Sequence, residues 1–166
     1  MLNKNILITG GNGYLGFEIV KNLLKNKNLF FIIVDKNVSK QNIDYLKKYK
    51  KRVEIIKIDI SKKNSFKIIK NKIEKKIKII DIIINNAAYY ENDKGFDANF
   101  LNEKYKSWEK VFKTNLFAPF FLVQTLYKNL IKSKNPLVLN IGSIYGYIAP
   151  DFNLYKDTKM TNPASY

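Results

Sequence analysis

Short, almost purely apolar runs alternate along the chain with longer stretches in which apolar positions recur every three or four residues. "NILIT" (5–9), "LFFIIVD" (29–35), "VEIIKIDI" (53–60), "IIDIIIN" (79–85) and "PLVLNIGS" (136–143) read as strands. "YLGFEIVKNLLKNK" (14–27), "KKNSFKIIKNKIEKK" (62–76) and "SWEKVFKTNLFAPFFLVQTLYKNLIK" (107–132) carry helical spacing, with short helical character also around 42–50. Ser61 is the candidate cap of the helix over 62–76, and Pro119 predicts a kink in the long helix. Segment 86–105 has no clear period and contains Gly95.

Strands that are apolar throughout, alternating with helices, indicate a parallel sheet covered on both faces. The prediction is one doubly wound α/β domain over residues 1–166, with no repeat, linker or second-domain boundary.

Composition then narrows the chemistry. Without cysteine or histidine there is no disulfide, no thiolate nucleophile, no serine–histidine triad and no usual zinc site, so no metal is expected. Proton transfer must use carboxylates, lysine, tyrosine or water. The start "MLNKNILITG" lacks the apolar stretch of a signal peptide. No run approaches the roughly 18 apolar residues of a membrane span, and the expected compartment is the cytoplasm. The net charge of +16 would suit a polyanion, but Arg52 is the only arginine and the lysines are spread along the whole length. Abundant lysine, asparagine, isoleucine, phenylalanine and tyrosine fit an AT-rich coding sequence. Dispersed lysines read as solvated faces, so neither nucleic acid nor membrane is the expected partner.

"ILITGGNGYLG" sets Gly10, Gly13 and Gly16 where the first strand turns into the first helix. A dinucleotide's pyrophosphate needs glycines there, for a tight turn, close backbone approach and close helix–strand packing. The helix start adds unpaired N–H groups and a favourable dipole. Thr9, Gly10, Gly13, Tyr14, Leu15 and Gly16 are therefore candidate cofactor-binding residues of a Rossmann-type fold. No lysine followed by serine or threonine occupies a P-loop position, which excludes an ATPase of that kind. Asp35, ending the second strand, suits the adenosine ribose hydroxyls and favours NAD over NADP, while Lys36 beside it weakens that preference.

Several stretches together resemble the short-chain dehydrogenase/reductase family: "TGGNGYLG" (9–16), "DI" (59–60), "NNAA" (85–88), the helix containing Asn115, and "IGSIYG" (141–146). The resemblance implies that Asp59 and Ile60 lie along the adenine, and that Asn85, Asn86, Ala87 and Ala88 form a turn bordering the cofactor. Ala88 stands where the family usually has glycine. Asn115 would hold a proton-relay water, and Ser143 would hydrogen-bond the substrate oxygen. Singly, Asn115 also reads as a plain helix polar group, Ser143 as a turn residue and Asp59 as a cap. The glycine spacing resembles the extended branch acting on nucleotide-linked sugars, the helix over 107–132 the compact oxidoreductase branch. "SIYGYIAPDFNLYKDTKMTNPASY" resembles oxidoreductases of flagellin and surface-polysaccharide sugar modification.

The resemblance also implies a tyrosine acid/base whose pKa of about 10 is lowered by a lysine one helical turn on. Tyr155 has Lys159 at that spacing, but Pro163 limits any helix there and the stretch resembles an insertion. "NPASY" resembles the lead-in to the catalytic tyrosine, which favours Tyr166; its lysine would then fall at position 170, beyond this sequence. The C-terminal strands of the family fold are likewise expected to be absent. The expectation is an NAD-dependent oxidoreductase acting on a hydroxyl or keto group of a small molecule, a sugar derivative, and homo-oligomeric at full length. Alternatives are a nucleotide-sugar epimerase or dehydratase, or an inactive nucleotide-binding fragment.

Overall fold

The computed structural model describes residues 4–90, 103–149 and 151–157. Five strands, β1 (Lys4–Thr9), β2 (Leu29–Asp35), β3 (Val53–Lys57), β4 (Ile82–Asn85) and β5 (Leu137–Asn140), form one sheet in the order β3-β2-β1-β4-β5. Every neighbouring pair is parallel. This is the predicted doubly wound α/β architecture. The chain runs outward from β1 through β2 to β3, then returns to the other side of β1 with β4 and β5. That reversal between β1 and β4 opens a crevice at the carboxyl ends of the strands.

Burial explains why β1 and β2 read as unbroken apolar runs. Ile6 and Ile8 of β1 and Phe31 and Ile33 of β2 face one core, with Val20 and Leu24 of the first helical segment. Leu7, Ile32 and Val34 face the other, with Ile69, Leu122 and Leu126. Successive side chains point to opposite faces, and here both faces are buried.

The helices are α1 (Tyr14–Leu23), α2 (Lys40–Leu46), α3 (Ser65–Glu74), α4 (Tyr105–Phe112) and α5 (Ala118–Leu130), with a 3₁₀ turn at Lys47–Tyr49. Two expectations change. Ser61 does not cap α3: its N–H goes to Asp59 Oδ1 at 2.9 Å, and the helix begins after Asn64, which makes no side-chain cap bond. The long helix is broken ahead of Pro119, by a π-helical segment at Lys113–Phe117. Proline has no N–H for the carbonyl four residues back, so the disturbance falls on the turn that contains Asn115.

Arg52 joins the α1–β2 loop to β3. Its Nη1 donates to the Asn26 carbonyl (2.8 Å) and, longer, to that of Leu29 (3.5 Å), its Nη2 donates to that of Leu24 (3.1 Å), and the guanidinium lies over the Tyr49 ring. Among the described residues no helix is long and apolar enough to cross a membrane.

Candidate dinucleotide and reaction site

The carboxyl ends of the strands line a cleft of about 1110 Å³. Its floor is the turn after β1. Gly10 has φ +65°, the left-handed region that favours glycine, and a Cβ there would sit 2.8 Å from the Ala87 Cα. A Cβ on Gly16 would overlap the Gly10 carbonyl oxygen and lie 2.6 Å from Asn86 Nδ2. These two glycines let α1, β1 and the turn after β4 meet at backbone distance. Gly13 begins α1 with no side-chain cap, and a Cβ on it would meet only the Gly10 carbonyl oxygen, at 3.3 Å. The first N–H groups of α1 thus stand uncovered beside the cleft, a cradle suited to a pyrophosphate.

Thr9 holds this floor together. It is buried and does not line the cleft; its Oγ1 accepts from the N–H groups of Asn86 and Ala87, both at 3.1 Å. Asn86 Nδ2 donates back to the carbonyls of Thr9 (3.0 Å) and Gly10 (3.1 Å). Of the candidate cofactor-binding residues, Thr9 thus lies beneath the cleft, whereas Gly10, Gly13, Tyr14, Leu15, Gly16, Asn86, Ala87 and Ala88 all line it.

At one end stand Asp35, Lys36, Asp59 and Ile60. Burial pushes the Asp59 carboxyl up, but hydrogen bonds from the Ser61 hydroxyl and N–H and the fields of Lys36 and Lys62 outweigh it, holding the group below its ordinary value. Lys36 Nζ also lies 5.5 Å from the Tyr89 ring centroid, and Lys110 donates to the Tyr89 hydroxyl at 3.3 Å.

At the other end are Asn115 and Ser143. The Asn115 amide clamps one residue from both sides: Oδ1 accepts from Tyr89 N (2.7 Å) and Nδ2 donates to the Tyr89 carbonyl (3.1 Å). Ser143 follows β5 and caps a 3₁₀ turn (Ile144–Gly146), its Oγ accepting from Tyr145 N at 3.2 Å. After Tyr155 the backbone leaves helical geometry, with Lys156 at ψ 137° and Asp157 at φ 62°, so no helix continues from Tyr155 toward Lys159. Lys159 and Tyr166 lie outside the described residues.

The chain matches the family model described as short chain dehydrogenase over residues 4–161. The chain belongs to the short-chain dehydrogenase family. A 3-oxoacyl-[acyl-carrier-protein] reductase FabG of Buchnera aphidicola subsp. Baizongia pistaciae is 30% identical to this short-chain dehydrogenase over 146 residues, 87% of this chain and 57% of that protein. Among solved structures, a short chain dehydrogenase from Leptospira borgpetersenii with bound NAD+ superposes with a TM-score of 0.81 at 30% identity, covering 100% of this chain and 59% of the other. ElxO with NADP bound superposes with a TM-score of 0.76 at 25% identity, over 92% and 60% of the two chains. This chain thus spans less than two thirds of each of these relatives.

Some lining residues escaped the sequence reading. Asn140 receives a hydrogen bond from Asn85 Nδ2 (2.8 Å), and the two stand in register at the ends of β5 and β4. The available signal was a carboxamide closing each of two apolar runs, "IIIN" and "LVLN". Thr114, Phe120 and Gln124 also line the cleft and carried no signal of their own.

Proposed function

We propose that this short-chain dehydrogenase sequence carries the dinucleotide-binding part, and part of the reaction site, of an NAD-dependent oxidoreductase acting on a hydroxyl or keto group, in the cytoplasm and as a homo-oligomer at full length. One observation carries the reading: a single cleft is lined by the Gly10–Gly16 turn, Asp35, Asp59, the turn at 85–88, Asn115 and Ser143. The first turn of α1 would take the pyrophosphate, Asp35 the adenosine ribose, and Asp59 with Ile60 the adenine edge. A carboxylate at the ribose disfavours a 2′-phosphate, which supports NAD over NADP.

The bound nicotinamide supplies or accepts the hydride. Ser143, with its Oγ beside the cleft, would hydrogen-bond the substrate oxygen, and Tyr166 would exchange the proton with it. The side-chain amide of Asn115 is already committed to Tyr89. Its main-chain carbonyl, to which Pro119 has no N–H to donate, would hold a relay water.

For the substrate, the stretch 144–166 supports a keto or hydroxy sugar derivative. The FabG relative supports a second reading, reduction of a 3-oxoacyl thioester. The test is calorimetric titration of the chain with NADH and NADPH, followed by NADH oxidation with a keto sugar and with a 3-oxoacyl thioester. Tighter binding of NADH is the expected result. No binding of either nucleotide would sink the proposal, and oxidation by the thioester alone would replace the sugar reading.

A further inference from the structure

The glycine turn is seated on β1, and it is also suspended from β2 and α2. Asn12 N donates to Asp35 Oδ2 at 2.9 Å, and Asn37 N donates to Asp35 Oδ1 at 3.0 Å, so each carboxylate oxygen already takes one backbone N–H. Asn12 Nδ2 donates to the Asn37 carbonyl at 2.9 Å. From the first turn of α2, Asn42 Nδ2 reaches back to the Asn12 carbonyl at 3.1 Å. Asn42 is itself held by the Ser39 cap, its N–H going to Ser39 Oγ at 3.2 Å.

The Asn12 carbonyl and the Gly13 N–H belong to one rigid peptide plane. Asn42 grips that plane by its carbonyl, while its N–H closes the turn onto the Gly10 carbonyl at 3.1 Å. A grip on that plane fixes the entry of α1 beneath the pyrophosphate cradle, and across the Asn12 Cα it restrains the two torsions that aim the Asn12 N–H, in the preceding peptide, at Asp35.

We propose that Asn42, which does not line the cleft, is a positioning residue for the dinucleotide: by restraining the backbone of Asn12 it holds the Asp35 carboxylate in the orientation that selects an unphosphorylated adenosine ribose. The inference rests on the dinucleotide reading above. Without the Asn42 bond the backbone of Asn12 keeps fewer restraints, its N–H is aimed less steadily at Asp35, and the carboxylate is held less firmly in register with the ribose hydroxyls. NAD+ then loses an oriented acceptor, and the 2′-phosphate of NADP+ is repelled less.

The experiment measures NAD+ and NADP+ affinities calorimetrically for the wild-type chain, Asn42→Ala, Asn42→Asp and, as a control on the same helix, the exposed Gln41→Ala. Asn42→Asp keeps the side chain's volume while removing its donor. Asn42→Ala should weaken NAD+ binding about 3- to 10-fold, the worth of one hydrogen bond, and NADP+ binding by less, so the preference for NAD+ falls. Asn42→Asp should fall further, and Gln41→Ala should change neither affinity. Equal losses for both nucleotides, or none, would overturn the assignment, since a purely structural role moves both together. A wild-type chain that binds neither nucleotide would overturn the dinucleotide reading itself, and the assignment with it.

Discussion

The two ends of the cleft are built in different ways. At the adenosine end, strand-end polar groups are met by backbone donors: Asp35 by Asn12 and Asn37, Asp59 by Ser61, and Thr9 by Asn86 and Ala87. The strands beneath it, β1 and β2, are buried on both faces. At the proposed reaction end, Ser143 caps a short 3₁₀ turn beyond β5, a strand that among the described residues pairs with β4. Leu137 and Leu139 of that strand are 51% and 44% exposed. Asn115 is clamped there by two bonds to Tyr89. Among the described residues the proposed nucleotide contacts therefore rest on strands buried on both faces, and the proposed reaction contacts on the segments that follow β5 and precede α5. The two properties should separate under mutation.

The largest effect is expected for Gly16→Ala. Its Cβ has no room against the Gly10 carbonyl and Asn86, and the overpacking should cost about 2–3 kcal/mol. Denaturant unfolding should show the loss, and NADH titration should show binding gone. A fully stable Gly16→Ala that still binds would refute the close-packed floor.

Asn86→Ala should follow. It removes two donations, to the Thr9 and Gly10 carbonyls, for about 1–2 kcal/mol of stability, with NADH affinity falling in parallel.

Asn115→Ala tests the other end. It frees Tyr89 from its clamp at about 1 kcal/mol, and NADH affinity should drop by less than in Asn86→Ala. A larger drop would mean that the two ends are not separable.

The smallest effect concerns pH. The Asp59 carboxyl is held below its ordinary value, so its contribution is fully present above the usual carboxylate pKa of about 3.9 and is lost as pH falls through the lower folded value. Between pH 5 and pH 3, at about the range where carboxylates titrate, thermal melts of wild type should fall more steeply than those of Asp59→Asn. Parallel curves would show that the Ser61 bonds and lysine fields add nothing.

How much was legible follows from what each feature demands of the sequence. The glycine turn requires missing side chains at fixed spacing, and absence of a side chain is visible in a single sequence. Strands buried on both faces write themselves as runs such as "LFFIIVD". The Asn12–Asn37–Asn42 suspension was invisible, because asparagine is abundant throughout and such grips have no period. The Ser61 cap failed because α3 starts only at Ser65, and the Ser61 hydroxyl turns back to the Asp59 carboxylate. The kink assigned to Pro119 was right in cause but displaced in place, since proline disturbs the turn before it. Thr9 matched the motif, yet its hydroxyl faces Asn86 and Ala87 in place of the cleft.

Arg52 carries a different lesson. Every other basic residue of the chain is lysine. The position that kept arginine is the one where a planar fork reaches the carbonyls of Leu24, Asn26 and, more loosely, Leu29 while stacking on Tyr49. A single ammonium cannot reproduce that geometry. Arg52 thus ties the loop after α1 and the start of β2 to the entry of β3 through one planar group, a joint that a lysine at this position could not make.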